Sequence, residues 1–247
     1  MIPYVRREKI MDELENKQIL YIEDLLKIFD GVSESTIRRD LKILEDENFI
    51  VLLRGGAVKL KLDSHEIPVG TKKLLNKESK ERIAKFAASL VEDDDVIYID
   101  SGTTCSAIVK YIVSKGIRVV TSNIQVLSEI NGTHIENITI VGGEVNRNLD
   151  SISGPLTDSS LRNLNFDKSF LGASGFGLNV GVNTPDFREA SKKSIVKMNS
   201  NKCYVLADSS KFNKNTLCKA FDIQDCLLIT NKQIPELDGT TEYYVVE

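Results

Sequence analysis

Six short apolar runs in the last two thirds of the chain leave few folds open. They are Val96-Ile97-Tyr98-Ile99, Arg118-Val119-Val120, Ile138-Thr139-Ile140-Val141, Lys168-Ser169-Phe170-Leu171, Cys203-Tyr204-Val205-Leu206 and Cys226-Leu227-Leu228-Ile229. Tyr243-Tyr244-Val245-Val246 is a candidate seventh, and Ile83, Ala84, Phe86, Ala87 and Leu90 make a helix ahead of the first. Strands alternating with helical stretches imply a mostly parallel sheet covered on both faces. Open sheets of this kind bind ligands outside the carboxyl ends of their strands. Five such ends are rich in small, polar or glycine residues: Asp100-Ser101-Gly102-Thr103-Thr104, Thr121-Ser122-Asn123, Gly142-Gly143-Glu144, Gly172-Ala173-Ser174-Gly175 and Asp208-Ser209-Ser210-Lys211. Gly102 permits a tight turn, and hydroxyls with free N–H groups at a helix start can hold a phosphate. One such loop is only a turn; five at one edge favour a pocket for a phosphorylated polar ligand. Lys211 is a candidate partner for its phosphate or a sugar oxygen. Asp186, Arg188 and Glu189 read as the opening of a helix, where acids complement the dipole. Cys105 reads as a packed thiol.

The first sixty residues follow another pattern. Helical spacing runs from Arg6 to Leu14 and from Ile22 to Phe29, and Asp30-Gly31 breaks the second helix. Ser33 then caps a third, its hydroxyl accepting the free N–H of Thr36. Ile37, Leu41 and Leu44 recur at i, i+4, i+7 and give that helix one apolar face. Ser35, Arg38, Arg39 and Lys42 fall largely off it. Two helices joined by a short Gly-containing turn form a helix-turn-helix. Phe49 to Leu53 and Ala57 to Leu60 flank Arg54-Gly55-Gly56 and read as a hairpin, which makes the whole a winged helix. The candidate DNA-contacting residues are Ser33, Ser35, Thr36, Arg38, Arg39, Lys42 and, on the wing, Arg54. Arginine forks match guanine edges or phosphates, and small hydroxyls allow close approach. The competing reading is a three-helix protein-interaction module with a solvated charged face.

Charge does not decide between these readings. The net charge is −4, and the first 60 residues hold ten Lys/Arg against twelve Asp/Glu. Any positive footprint must be a local patch. The expected division is a DNA-binding domain over 1–60, a linker over 61–79 containing His65, Pro68 and Gly70, and an α/β ligand-binding domain over 80–247. No apolar run approaches the roughly 20 residues that span a bilayer. The first residues carry no apolar signal core. Four cysteines (Cys105, Cys203, Cys218, Cys226) form no C-x-x-C pair, and the two histidines are His65 and His134. These features predict reduced thiols in a cytoplasmic protein, with no metal and no cofactor.

The run Val32-Ser33 to Leu41, with Thr36-Ile37-Arg38-Arg39-Asp40-Leu41, followed by Arg54-Gly55-Gly56-Ala57, resembles the DeoR family of bacterial transcription regulators. The resemblance extends through Asp100 to Thr104, Thr121 to Asn123, Gly142 to Glu144, Gly172 to Gly175 and Leu206 to Phe212, which look like that family's sensor domain. It implies a winged helix-turn-helix joined to a larger, mostly parallel α/β domain similar in fold to ribose-5-phosphate isomerase. It implies a homo-oligomeric repressor of a sugar metabolism operon, bound to double-stranded operator DNA and controlled by a phosphorylated sugar. The ligand set it implies is Asp100, Gly102, Thr103, Thr104, Asn123, Gly143, Glu189 and Lys211. The alternative is a working sugar-phosphate isomerase. That chemistry needs a placed carboxylate base. The isomerases carry a D-G-A-D-E-type run after the central strand, where this chain has Leu171-Gly172-Ala173-Ser174-Gly175. A binding fold without turnover is therefore expected.

Overall fold

The computed structural model describes residues 2–17, 19–46, 49–60, 72 and 75–246. The chain divides into two compact units, Met1–Asn76 and Lys77–Glu247. Most of the expected linker, including His65, Pro68 and Gly70, lies outside the described residues.

The first unit contains α1 (Pro3–Asn16), β1 (Ile19–Tyr21), α2 (Ile22–Ile28), α3 (Glu34–Asp46), β2 (Ile50–Leu52) and β3 (Ala57–Leu60). The three helices enclose a core of Ile10, Met11, Leu14, Leu25, Phe29, Ile37, Leu41 and Leu44. The expected hairpin is present as the antiparallel pair β2–β3. β1 adds a third strand on the other side of β3, in the order β1-β3-β2. This strand is absent from the sequence reading, because three residues are too few for a period-two pattern to register. α1 is also longer at both ends than the expected Arg6 to Leu14.

The second unit holds seven parallel strands: β4 (Val96–Ile99), β5 (Arg118–Thr121), β6 (Asn137–Ile140), β9 (Phe166–Gly172), β11 (Ser200–Leu206), β13 (Leu227–Thr230) and β14 (Tyr243–Val245). Their order is β14-β13-β11-β9-β4-β5-β6, and every neighbouring pair is parallel. Alternation along the strands feeds two cores. Ile97, Ile99, Val119, Phe170, Tyr204 and Leu206 pack with Ile83 and Ala87 of α4 (Lys77–Ser89). Tyr98, Val120, Leu171, Val205 and Leu228 pack on the opposite face with Leu161 of α7 (Pro155–Leu161) and Ile195 and Val196 of α8 (Phe187–Met198). Short helices α5 (Thr103–Ala107) and α6 (Val126–Glu129) follow β4 and β5. Two small antiparallel pairs complete the unit, β7 (Glu144–Asn146) with β8 (Ser151–Ser153) and β10 (Val182–Thr184) with β12 (Cys218–Phe221). All four cysteines are free thiols.

Candidate functional site

The first unit presents α3 as expected. Ser33 Oγ accepts the Thr36 N–H at 3.3 Å and lies 2.8 Å from Thr36 Oγ1 and 3.0 Å from Ser35 Oγ. Ile37, Leu41 and Leu44 are buried, while Ser33, Ser35, Arg38, Arg39 and Lys42 are exposed and Thr36 is half-buried. The exposed cations differ in their company. Arg38 reaches Glu34 at 2.7 Å, and Lys42 reaches Glu45 at 3.0 Å and Asp46 at 3.1 Å. Among the described residues Arg39 has no ion pair. Arg54 is exposed in the β2–β3 turn, where Gly55 and Gly56 take φ of +83° and +77°. The wing turn is tied inward by the Ile22 N–H, which donates to the Gly56 carbonyl at 3.0 Å. Buried Asp40 pairs with Arg6 from α1 and lies 3.6 Å from Arg7. This fixes α3 against α1 and went unnoticed in the sequence, where an acid beside two arginines looks like a surface charge.

In the second unit, the chain leaves β4 toward β5 on one side and leaves β9 toward β11 on the other. The crevice between the ends of β4 and β9 is therefore the topological switch point, the usual ligand position in open α/β sheets. Asp100 stands there, fully buried. Its Oδ2 accepts the Gly172 N–H at 3.0 Å from the end of β9 and pairs with Lys193 of α8. Its Oδ1 is buried with no partner among the described residues. Gly102 takes φ +123° ahead of α5, and Thr103 and Thr104 follow it on the helix. Asn123 is fully buried, and its side-chain N–H groups donate to the carbonyls of Asp100 at 3.0 Å and Gly102 at 3.4 Å. Its role in this geometry is to join the β4 and β5 loops.

Glu189 enters this cluster through Ser151 of β8. Ser151 Oγ donates to Glu189 Oε1 at 2.7 Å, and Lys192 Nζ donates to Glu189 Oε1 at 2.9 Å, to Ser151 Oγ at 2.8 Å and to the Ile152 carbonyl at 3.2 Å. Ser101 Oγ also lies 2.6 Å from Ser151 Oγ. Burial opposes ionisation of Glu189, yet Lys192 and Lys193 hold its carboxyl below the ordinary value. Burial likewise works against the Lys193 ammonium, and Asp100 and Glu189 more than offset it, so its pKa is raised. Lys211 Nζ donates to the Ala173 carbonyl at 2.8 Å, just past the end of β9. Burial opposes the charge on Asp208, but nearby Lys211 and the Ser210 hydroxyl keep its pKa low. Cys105 is buried, and that burial raises its thiol pKa. Gly143 stands apart from the cluster: with φ +154°, a Cβ there would meet Thr157 Oγ1 at 2.1 Å and the Ser153 carbonyl at 2.8 Å. It serves close packing of the β7 entry onto α7.

Ser151, Lys192 and Lys193 belong to the cluster and were missed from the sequence, and Ser101 joins it from the Asp100–Thr104 loop, though it is absent from the expected ligand set. The two lysines carried a usable signal, since i+3 and i+4 from Glu189 share its helix face. Among the described residues no group of three or more His, Cys, Asp or Glu side chains could hold a metal ion.

Residues 6–62 match the model of the DeoR-like helix-turn-helix domain, and residues 75–232 match that of the DeoR C terminal sensor domain. The chain belongs to the DeoR family. It is 35% identical to the uncharacterized HTH-type transcriptional regulator FruR of Bacillus subtilis, over 93% of this chain and 91% of that protein. It is 30% identical to the HTH-type transcriptional regulator GlpR of Haloferax volcanii, over 98% and 94%. Among solved structures, a ribose 5-phosphate isomerase from Plasmodium falciparum matches 57% of this chain and 52% of its own, at 16% identity and a TM-score of 0.39. A likeness at that level says nothing about activity. As a member of the DeoR family the chain is a DNA-binding transcriptional regulator with a sensor domain, and not an enzyme. No helix among the described residues is long and apolar enough to cross a membrane.

Proposed function

We propose that this DeoR-family chain represses a sugar metabolism operon from the cytoplasm as a homo-oligomer, and that a phosphorylated sugar bound at the switch point controls it. The carrying observation is the convergence at that crevice of Asp100, the Gly102–Thr104 loop and Lys211, with Lys193 and Glu189 behind them. Lys211 supplies a cation for the phosphate, since its ammonium donates to the Ala173 carbonyl and forms no ion pair among the described residues. Asp100 Oδ1, a buried acceptor without a donor among the described residues, suits a sugar hydroxyl. Asn123 and Gly143 act one step back, by holding the loops that surround the ligand. On the DNA side, Ser33, Ser35, Thr36, Arg38, Arg39, Lys42 and Arg54 form the contact set, with α3 in the major groove and the wing on the backbone.

An electrophoretic shift of the chain's own upstream DNA, repeated with a panel of sugar phosphates, tests the reading. The expected result is a salt-sensitive, sequence-specific shift altered by one compound. No specific shift at any salt concentration, or a shift indifferent to every sugar phosphate, would refute it in its DNA or its effector half respectively.

A further inference from the structure

A surface pocket of about 300 Å³ opens beside the switch point, between the β7–β8 hairpin and the start of α8. Its walls include Glu144, Val145, Arg147, Asp186 and Arg188. Glu144 and Arg188 satisfy each other at 2.5 Å. Arg147 and Asp186 have no ion-pair partner among the described residues, although Asp186 Oδ1 caps α8 by accepting the Arg188 N–H at 2.7 Å, so the pocket presents one cation and one anion not neutralised by an ion pair. Its rim is apolar. α7 and α8 run side by side in the same direction, joined by Ser191 to Asp158 at 2.6 Å and by Asn199 to the Leu161 carbonyl at 2.9 Å. That alignment sets Leu156 and Phe187 at neighbouring helix starts, 64% and 67% exposed, near Val145 at 57%.

We infer that this face pairs two copies of the chain about a twofold axis, with Phe187 and Leu156 meeting across it and Arg147 of each copy facing Asp186 of the other. A surface that pairs with itself must carry both charge signs and an apolar centre. A pocket for an anionic metabolite would instead carry a cation excess, and the charges here balance. A second copy is also what a helix-turn-helix regulator needs to occupy two half-sites. The same α8 that carries Phe187 carries Glu189, Lys192 and Lys193, so the pairing face adjoins the ligand cluster. The inference rests on the homo-oligomer reading above.

Sedimentation velocity on the full chain tests it. Phe187→Asp and Leu156→Asp, both at exposed positions and checked for native circular dichroism, should each weaken self-association at least tenfold. Arg147→Glu and Asp186→Lys, likewise checked for native circular dichroism because Asp186 caps α8, should each do the same alone, because each creates a like-charge contact across the axis. Mixed in equal amounts, the two charge variants should associate again, since both cross pairs are then of opposite sign. A wild-type chain that is monomeric at micromolar concentration would overturn this inference together with the homo-oligomer reading. A wild-type oligomer left intact by both apolar variants would overturn the surface alone. A charge-variant mixture that associates no better than its components would overturn the twofold pairing.

Discussion

Asp40 shares a helix with the proposed DNA-contacting residues, yet its carboxylate is turned inward onto Arg6, and both side chains are buried. Removing one member of a buried pair leaves the other charge stranded, typically at about 3–5 kcal/mol. Asp40→Ala should therefore destabilise the first unit by about that much in urea unfolding. The double change Arg6→Met with Asp40→Leu should recover most of the loss, and an Asp40→Ala chain within about 1 kcal/mol of wild type would show the pair to be dispensable. Glu189 behaves comparably in the second unit, but its consequence is read in pH. Its folded pKa is depressed, so its contribution is complete above the ordinary glutamate value and is lost as pH falls through the folded value. Asp208, also depressed, has the same sign. The melting temperature of wild type should fall on acidification below about pH 4.5, and Glu189→Gln should flatten that limb in differential scanning fluorimetry. Superimposable acid limbs would show that Glu189 gains nothing from its lysines. The Arg6–Asp40 pair left no signal in the sequence, and the i+3 and i+4 spacing of Lys192 and Lys193 from Glu189 gave their shared helix face but not their burial. Lys192 and Lys193 look like ordinary helix-surface lysines until the sheet places β8 and Asp100 opposite them.

At the scale of elements, the legible parts are those whose pattern is long enough to repeat. The central strands announced themselves because each feeds two cores through Ile97, Tyr98 and Ile99 or Tyr204, Val205 and Leu206. The β7–β8 and β10–β12 pairs did not, because Glu144–Asn146 and Val182–Thr184 are three residues long and largely polar. α3 was legible to its cap. Ser33→Ala removes the hydroxyl that receives the Thr36 N–H, and the expected loss is about 1 kcal/mol of stability in the first unit. Ser33→Asp should restore it, since aspartate caps equally well. A Ser33→Ala chain as stable as wild type would mean that water satisfies the Thr36 N–H. The glycines at strand ends separate by cause. Gly102→Ala meets no atom within 4 Å, and only its φ of +123° opposes it. Gly143→Ala meets Thr157 and the Ser153 backbone outright. Thermal melts should rank Gly143→Ala as the more damaging, and the Thr157→Ser background should not relieve it, because Oγ1 and the Ser153 carbonyl stay in place.

Across the whole molecule, one unit reads DNA and the other senses, and regulation requires free energy to pass between them. The expected coupling is about 1–3 kcal/mol, a change in operator affinity of roughly 5- to 150-fold when effector binds. Lesions should then sort by unit. Arg39→Ala, at the exposed α3 cation without an ion pair among the described residues, should cost about 1–3 kcal/mol of operator binding if it reads a base. The isolated effector affinity should not change. Lys211→Ala should leave operator affinity intact and abolish the effector response. Linkage adds a stricter demand: operator DNA must change effector affinity by the same factor by which effector changes operator affinity. Isothermal titration of the effector, with and without saturating operator, measures that factor directly, and the electrophoretic shift measures its counterpart. Equal factors are required of any two-state regulator. A large effect on DNA release beside an unchanged effector affinity would mean that the added compound acts on the DNA or its ions and not through the switch point.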